Sequence, residues 1–262
     1  LLPAGQRAAK RQTLIDAFAR IGQVQADEIW PDLVGASPWG YRRKARLGVK
    51  YVAKKGRVLV GFRERGSAFV ADLQGCPVLE PSIGALLPAL AECIGGLGIR
   101  ERLPQIEVAM DDARLALVLR VLDPPDAADR ARLSAFAQEH AVTLYLQPGG
   151  PDTVVPLDQP VDLAYALPDQ GLTLGFGPLD FTQVNSDINR QMVSRALALL
   201  APGAGERVLD LFCGVGNFTL PLATGGAQVV GVEGAPELVA RAQDNARRNG
   251  QDSVSFHCAN LF

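Results

Sequence analysis

Apolar positions recur at helical spacing from residue 6 to 22, with Leu14, Phe18 and Ile21 on one face and Arg7, Lys10 and Arg11 in the first turns. The stretch "YRRKARLGVKYV" then switches to period two. Ala45, Leu47, Val49 and Tyr51 fall on one side and Lys44, Arg46 and Lys50 on the other, the pattern of a half-buried strand. "KKG" turns the chain, "RVLVGF" returns it and "SAFVADL" offers a third strand, so a small antiparallel meander with a basic face is expected. After "QGCPVLEP" an apolar helix spans roughly 82–95, followed by a hairpin of "QIEVAM" and "RLALVLRVL" joined at Asp111-Asp112. "DAADRARLSAFAQEH" reads as a helix, and "VTLYLQ", "DTVVPL" and "LTLGFG" as short strands, with 147–170 rich in loops. This mixed stretch predicts an α+β domain over residues 1–185.

From residue 186 the pattern changes. Ile188, Met192, Ala196 and Leu200 mark a helix face that Ser186 or Asp187 could cap. "APGAG" ends it; "RVLDLF" is a strand, "NFTLPLAT" a short helix, "AQVVGVE" a strand, "APELVARAQDNARRNG" a helix closed by Gly250, and "SVSFHC" a third strand. Strand and helix alternating at this spacing predict a parallel, doubly wound α/β sheet over residues 186–262. Three strands are fewer than such a sheet needs to work, so it is expected to be incomplete.

Composition narrows the class. Apolar residues make up 48% and charged residues 21%, which excludes a disordered chain, and no apolar run reaches the ~20 residues of a membrane span. The start "LLPAGQRAAKRQ" lacks a Met and the order of a secretory signal, so a piece of a longer protein is expected. Cys76, Cys93, Cys213 and Cys258 are far apart with no CxxC pair, which fits a reducing cytoplasm better than a disulfide framework. The net charge of −2 conceals an asymmetry: residues 41–66 hold ten Lys or Arg against Glu64 alone, +9, leaving −11 elsewhere. A local basic face of this kind suggests contact with a polyanion.

The chemistry concentrates in "VLDLFCGVGNFTLPLA". A glycine turn between a strand and a helix lets a cofactor approach the backbone. A dinucleotide fingerprint would place Gly or Ala where Thr219 stands, and Asp210, four residues before Gly214, suits a cationic ligand better than phosphate. Glu233 ends the next strand 19 residues after Gly214, where an acid usually binds ribose hydroxyls. A nucleoside with positive charge and no phosphates satisfies both, which favours S-adenosylmethionine over NAD.

Together, "PWGYRRKARLGV", "GCPVLEP", "DFTQVNSDINRQMV", "VLDLFCGVGNFTLPLA" and "VVGVEG" resemble the RNA uracil-5-methyltransferases, most closely the type that acts on 23S ribosomal RNA. The resemblance runs from about residue 5 to 262 and implies a Rossmann-like methyltransferase domain behind a central domain. It implies that a cysteine adds to uracil C6, that C5 then takes the methyl group from S-adenosylmethionine, and that a carboxylate removes the C5 proton. In the family those two catalytic groups lie beyond residue 262, so no catalytic residue is expected within this chain and Cys213 is a packing residue. The same resemblance implies cofactor contacts at Gln183, Phe212, Gly214, Asn217, Glu233 and Asn260, and substrate contacts at Arg46 and Phe181. It makes Cys76 the fourth ligand of a [4Fe-4S] cluster whose other three cysteines precede Leu1. Ribosomal RNA is the implied partner, and a cytoplasmic monomer the implied state.

Each residue also has a plainer reading. Cys76 taken alone is a buried thiol, Gln183 satisfies loop backbone, Phe181 is core, Asn217 and Glu233 cap helices, and Asn260 is a turn residue. Lys44 and Lys50 are read as phosphate contacts, although basic stretches are often merely solvated. His140 and His257 lack metal-ligand spacing. A transfer-RNA uracil-5-methyltransferase, a non-catalytic RNA-binding module and an NAD oxidoreductase remain the alternatives.

Overall fold

The computed structural model describes residues 2–261. Its contacts separate into two compact units, one up to Pro38 and one from Trp39 onward. In the first, α1 (Pro3–Ala17) has a proline in its first turn and is prolonged by one wider turn, Phe18–Gly22, which Gln23 ends in a left-handed conformation. Arg11 draws the following segment back by donating to the carbonyls of Ile29 and Trp30. Leu14, Phe18 and Ile21, the apolar face of this helix, stay exposed.

The second unit is built on a six-stranded mixed sheet. Its strands are β1 (Lys44–Val52), β2 (Arg57–Gly61), β3 (Gln105–Met110), β4 (Leu115–Arg120), β5 (Val142–Gln147) and β6 (Val155–Pro156), in the order β2-β1-β3-β4-β5-β6. Two helices lie between these strands in sequence, α2 (Pro81–Gly95) and α3 (Ala127–Glu139), and α3 supplies the crossover that makes β4 and β5 parallel. The inward side of β1 is Ala45, Leu47 and Val49, which join Ile83, Leu87, Leu90 and Ile94 of α2 in one core. Alternation sends Ala109, Ala116, Val118 and Tyr145 to the other side of the sheet.

That other side is covered by β7 (Leu163–Leu167) and β8 (Leu172–Phe176), an antiparallel hairpin, and by the elements after it. These are α4 (Ser186–Leu200), β9 (Arg207–Leu211), α5 (Thr219–Ala223), β10 (Gln228–Glu233), α6 (Pro236–Arg248) and β11 (Val254–Cys258). β9, β10 and β11 form a parallel sheet with β10 in the middle, the α/β architecture expected of residues 186–262. One core runs from Ala116 and Val118 through Leu174 and Phe176 to Val193, Val215, Val239 and Phe256. It draws on both sides of residue 185, so the change of architecture there is not a break in packing.

Several sequence expectations are corrected. "SAFVADL" is not a third strand: it meets Arg63 through a single bridge at Val70, because the chain doubles back on itself at Gly66. β2 therefore stays at the edge of the sheet, and β3 pairs with the other side of β1, with Arg46 opposite Glu107. "DTVVPL" shrinks to the two residues of β6, while "LAYAL" forms β7 inside the stretch read as loop. The cap of α4 is Asn185, whose side chain accepts from Ile188 N–H, not Ser186 or Asp187. The buried residues of α4 are Asn189 and Val193, one position along from the Ile188 and Met192 face, because Asn189 turns inward to a polar partner.

Helix α6 is fastened to the hairpin by side-chain amides. Asn245 Oδ1 accepts from Gly175 N–H at 2.7 Å, and its Nδ2 donates to the carbonyls of Gly175 and Val215, each at 3.0 Å. One turn later Asn249 does the same to both backbone groups of Thr173. Asn245 is fully enclosed, so Asn245→Ala should leave three buried backbone groups unpaired and cost about 2–4 kcal/mol in urea unfolding. A loss below about 1 kcal/mol would mean that water replaces the amide.

Candidate functional site

The parallel strands end together at Leu211, Glu233 and Cys258, the edge where open α/β sheets bind ligands. After β9 the backbone turns left-handed three times in five residues, at Phe212 (φ 60°), Gly214 (55°) and Gly216 (92°). Gly214 faces open space, whereas a Cβ on Gly216 would lie 3.3 Å from Leu220. The Glu233 carboxylate fixes this turn: one oxygen accepts from Gly214 N–H at 3.1 Å, the other from Gly234 and Ala235 N–H at 2.8 and 3.2 Å. Asp210 accepts from the buried Thr219 hydroxyl at 2.6 Å, tying the end of β9 to the start of α5. Burial nevertheless pushes the Asp210 carboxyl upward, with the Thr219 hydrogen bonds pulling the other way.

Asn217 is neither a helix cap nor free. Its carbonyl oxygen accepts from the Tyr165 hydroxyl at 2.8 Å and from Asn189 Nδ2 at 2.9 Å, and its own Nδ2 donates to Asn189 Oδ1 at 3.0 Å. Tyr165 on β7 and Asn189 on α4 therefore hold the glycine turn from behind, and the sequence reading missed both. Burial raises the Tyr165 hydroxyl, so it remains a donor at neutral pH. The available signal was a lone Asn four residues before Val193 on an otherwise apolar helix face.

A cavity of about 100 Å³ opens at the turn, walled by Tyr165, Phe181, Gln183, Asp210, Phe212 and Asn217 among others. Four of the six expected cofactor residues, Gln183, Phe212, Gly214 and Asn217, line it together with Phe181. Glu233 reaches it only through Gly214, and Asn260, exposed just beyond β11, is not on its wall. Larger cavities lie elsewhere, one lined by Ser82, Leu86 and His140 and one by Tyr51, Arg57 and Glu92, away from these groups.

Phe181 and Gln183 are presented by a segment that is anchored throughout. Lys44 Nζ donates to Pro178 O at 3.0 Å, Asp180 accepts from Gly177 N–H and pairs with Arg241 at 2.5 Å, and Arg43 N–H donates to Val184 O. Lys44 is thus a strut rather than a phosphate contact. Burial lowers its ammonium to about 8, and Glu107 and Asp180 oppose that fall while Arg46 adds to it. Arg46 is exposed and donates through Nε to the nearly buried Glu107 at 2.5 Å, which leaves the rest of its guanidinium facing outward. Lys50 is exposed as expected.

The cysteines do different things. Cys213 is buried under Gly231, where an added Cβ would come within 3.0 Å of its sulfur. Burial, helped by Asp210 and Glu233, pushes its thiol up to about 12, which makes it a poor nucleophile at neutral pH. Cys76 is half-buried in the segment that runs beside Gly40–Arg42, through Gly40 N–H to Pro77 O and Arg42 N–H to Val78 O. Among the described residues no three His, Cys, Asp or Glu side chains gather to hold a metal. No helix of the described residues is long and apolar enough to cross a membrane.

Two measurements test this geometry. The Lys44 ammonium is depressed below its ordinary value, so its contribution to stability is full above about pH 10.5 and fades as pH falls toward 8. Urea unfolding between those values should show stability rising with pH more steeply in the parent than in Lys44→Met; identical slopes would place Lys44 in solvent. In iodoacetamide labelling at pH 8 with mass mapping, exposed Cys258 should react first. Cys213, and Cys93 with its thiol pushed up to about 11 by burial, should stay unmodified until the protein unfolds.

Residues 161–259 match the family model described as tRNA (Uracil-5-)-methyltransferase. Two curated relatives are each 54% identical to this chain: the 23S rRNA (uracil(1939)-C(5))-methyltransferase RlmD of Aromatoleum aromaticum over 98% of the chain, and that of Alkalilimnicola ehrlichii over 100%. The chain spans about 60% of the length of these relatives, 60% and 59% respectively. Among solved structures, the Pyrococcus abyssi tRNA (uracil-54, C5)-methyltransferase in complex with S-adenosyl-L-homocysteine superposes on 86% of this chain and 57% of its own, with a TM-score of 0.65 at 19% identity. That likeness gives the fold. The 54% identity gives the rest: along nearly its whole length the chain is similar to the RNA uracil-5-methyltransferases.

Proposed function

We propose that the protein containing this chain transfers a methyl group from S-adenosylmethionine to C5 of a uridine in 23S ribosomal RNA. The observation that carries this reading is the convergence of Phe181 and Gln183 with the Phe212–Asn217 turn around one cavity, in a chain 54% identical to the RlmD enzymes. A transfer-RNA substrate is the weaker reading, since the near-full-length relatives are named for 23S ribosomal RNA.

In this reading S-adenosylmethionine supplies the methyl group, and the residues of this chain position it. The open space at Gly214 admits the ligand against backbone. Glu233 has used three of its acceptor positions on N–H groups and can accept from ribose hydroxyls with what remains. Gln183 and Phe212 flank the ligand, with Asn260 closing from the end of β11. Asn217 contributes through its spare Nδ2 proton, its carbonyl being occupied by Tyr165 and Asn189. Asp210, in a cavity without a neighbouring cation, favours a sulfonium over a phosphate.

On the nucleic-acid side, exposed Phe181 offers a face on which an extruded uracil can stack. Arg46, with its Nε fixed by Glu107, directs its remaining donors toward a base edge or phosphate. The thiolate that adds to uracil C6 is assigned to residues other than these, because Cys213 is buried and protonated. Cys76 is assigned one ligand position of a [4Fe-4S] cluster, with the other ligands coming from outside the described residues. Functionally, residues 1–185 serve RNA and cluster binding and residues 186–262 serve the cofactor, in a monomer of the cytoplasm.

The test uses the full-length protein, labelled S-adenosylmethionine and 23S ribosomal RNA lacking the modification. Label should appear as 5-methyluridine; transfer to transfer RNA alone would overturn the substrate. Glu233→Ala should weaken S-adenosylmethionine binding by about 1.5–3 kcal/mol in calorimetry. Unchanged affinity would confine Glu233 to holding the turn.

A further inference from the structure

Beyond β2 the chain does not lie flat. Phe62–Ala71 doubles back as a short finger: Ala71 N–H donates to Phe62 O, Glu64 N–H to Phe69 O, and Ser67 N–H to Glu64 O, with Gly66 at φ 71° at the tip. Phe69 N–H also donates to Ser67 Oγ at 3.1 Å, so the tip is ordered by its own hydrogen bonds. The two aromatic residues of the finger part company. Phe62 packs against the core of α2 and β1, while Phe69 is 72% exposed. Packing therefore explains Phe62 and leaves Phe69 without a structural task.

The finger is seated in a specific place. A Cβ on Gly48 would lie 2.9 Å from Val70 and 3.5 Å from the Arg63 side chain, so the missing side chain is what admits the finger. Gly48 is two residues from Arg46 and shares its face of β1. The base of the finger thus stands beside the arginine assigned to the target nucleotide. Its charge is unspent. Lys55 and Arg57 below it are both paired with Asp72, but Arg63 and Arg65 make no ion pair among the described residues, and only Glu64 offsets them.

We infer that the Phe62–Ala71 finger grips an unpaired RNA segment flanking the target uridine: Phe69 stacks on a base, and Arg63 and Arg65 hold its phosphates. This rests on the RNA-methylation reading above. An exposed aromatic ring on a finger that also carries two arginines without an ion pair is the arrangement that binds single strands without reading their sequence, because every base has a face to stack. Duplex RNA offers no splayed base, so the finger favours loops and junctions over helices. The occupant is RNA rather than an acidic protein because the base of the finger adjoins Arg46, the arginine assigned to the target nucleotide.

The experiment uses the full-length protein with two fluorescent probes, a single-stranded 23S ribosomal RNA fragment and a paired duplex, at several salt concentrations. Phe69→Ala should weaken single-strand binding about tenfold, leave duplex binding and the salt slope unchanged, and raise KM for RNA without lowering kcat. Phe69→Trp should restore affinity, which a merely structural role would not predict. Arg63→Gln with Arg65→Gln should instead flatten the salt slope by about 0.7 per arginine. S-adenosylmethionine affinity should stay constant in all variants, which shows that each is folded. If the parent methylates RNA and Phe69→Ala binds single strands equally well, the finger assignment is overturned and the methylation reading stands. If the parent binds no RNA, both fall.

Discussion

The Glu233 carboxylate accepts backbone N–H groups from two loops at once, Gly214 from the turn after β9 and Gly234 with Ala235 from the turn after β10. A carboxylate is suited to this because it only accepts and has room for several donors. Within the glycine turn Gly216 N–H finds Cys213 O, but Gly214 N–H takes its acceptor from the neighbouring strand. Placed at the end of the middle strand, Glu233 reaches the turn after β9 as well as the turn that follows its own strand. The position of Gly214 on the turn follows from that one side chain.

The turn is also held from the opposite side, by polar groups on elements that precede β9 in the chain. Tyr165 comes from the hairpin on the central sheet, Asn189 from α4, and both end on Asn217. Lys44 comes from β1 and ends on the segment that carries Phe181. The Tyr165 hydroxyl thus joins the α+β part to the α/β part at the glycine turn, over a shared apolar core. Such bonds fix distance more sharply than apolar packing does, since they weaken steeply with misalignment.

Period and glycine placement made much of this visible in the sequence. The inward row Ala45, Leu47 and Val49, the βαβ spacing after residue 206, and the meeting of Asp210, Gly214 and Glu233 at one edge were all readable from local pattern. What escaped depends on partners far along the chain. "SAFVADL" has strand composition, yet β2 stays at the edge of the sheet and β1 takes as its second neighbour β3, some thirty residues further on. Lys44 alternates as an exposed residue should, yet its ammonium meets Pro178 O far along the chain. Asn189 spoils an apolar face unless Asn217 is known to meet it. Cys76 shows the same limit in reverse: its flanking residues suggest a ligand, while nothing local shows what it would ligate.

The amides between α6 and β8 bear on how the molecule ages. Asn249 precedes Gly250, and in an Asn-Gly pair the unhindered glycine nitrogen can attack the side-chain carbonyl and convert the amide to a carboxylate. Here both reacting groups are restrained: Gly250 N–H donates to Arg247 O, and the Asn249 side chain is held by Thr173 and by Asn245 O. Deamidation must therefore wait for the end of α6 to fray. Once it occurred, an acceptor would replace the donor that faces two carbonyls, and repulsion would stop the helix from closing again on the hairpin. A single slow chemical event at this corner would loosen the contact that Asn245 alone then has to keep.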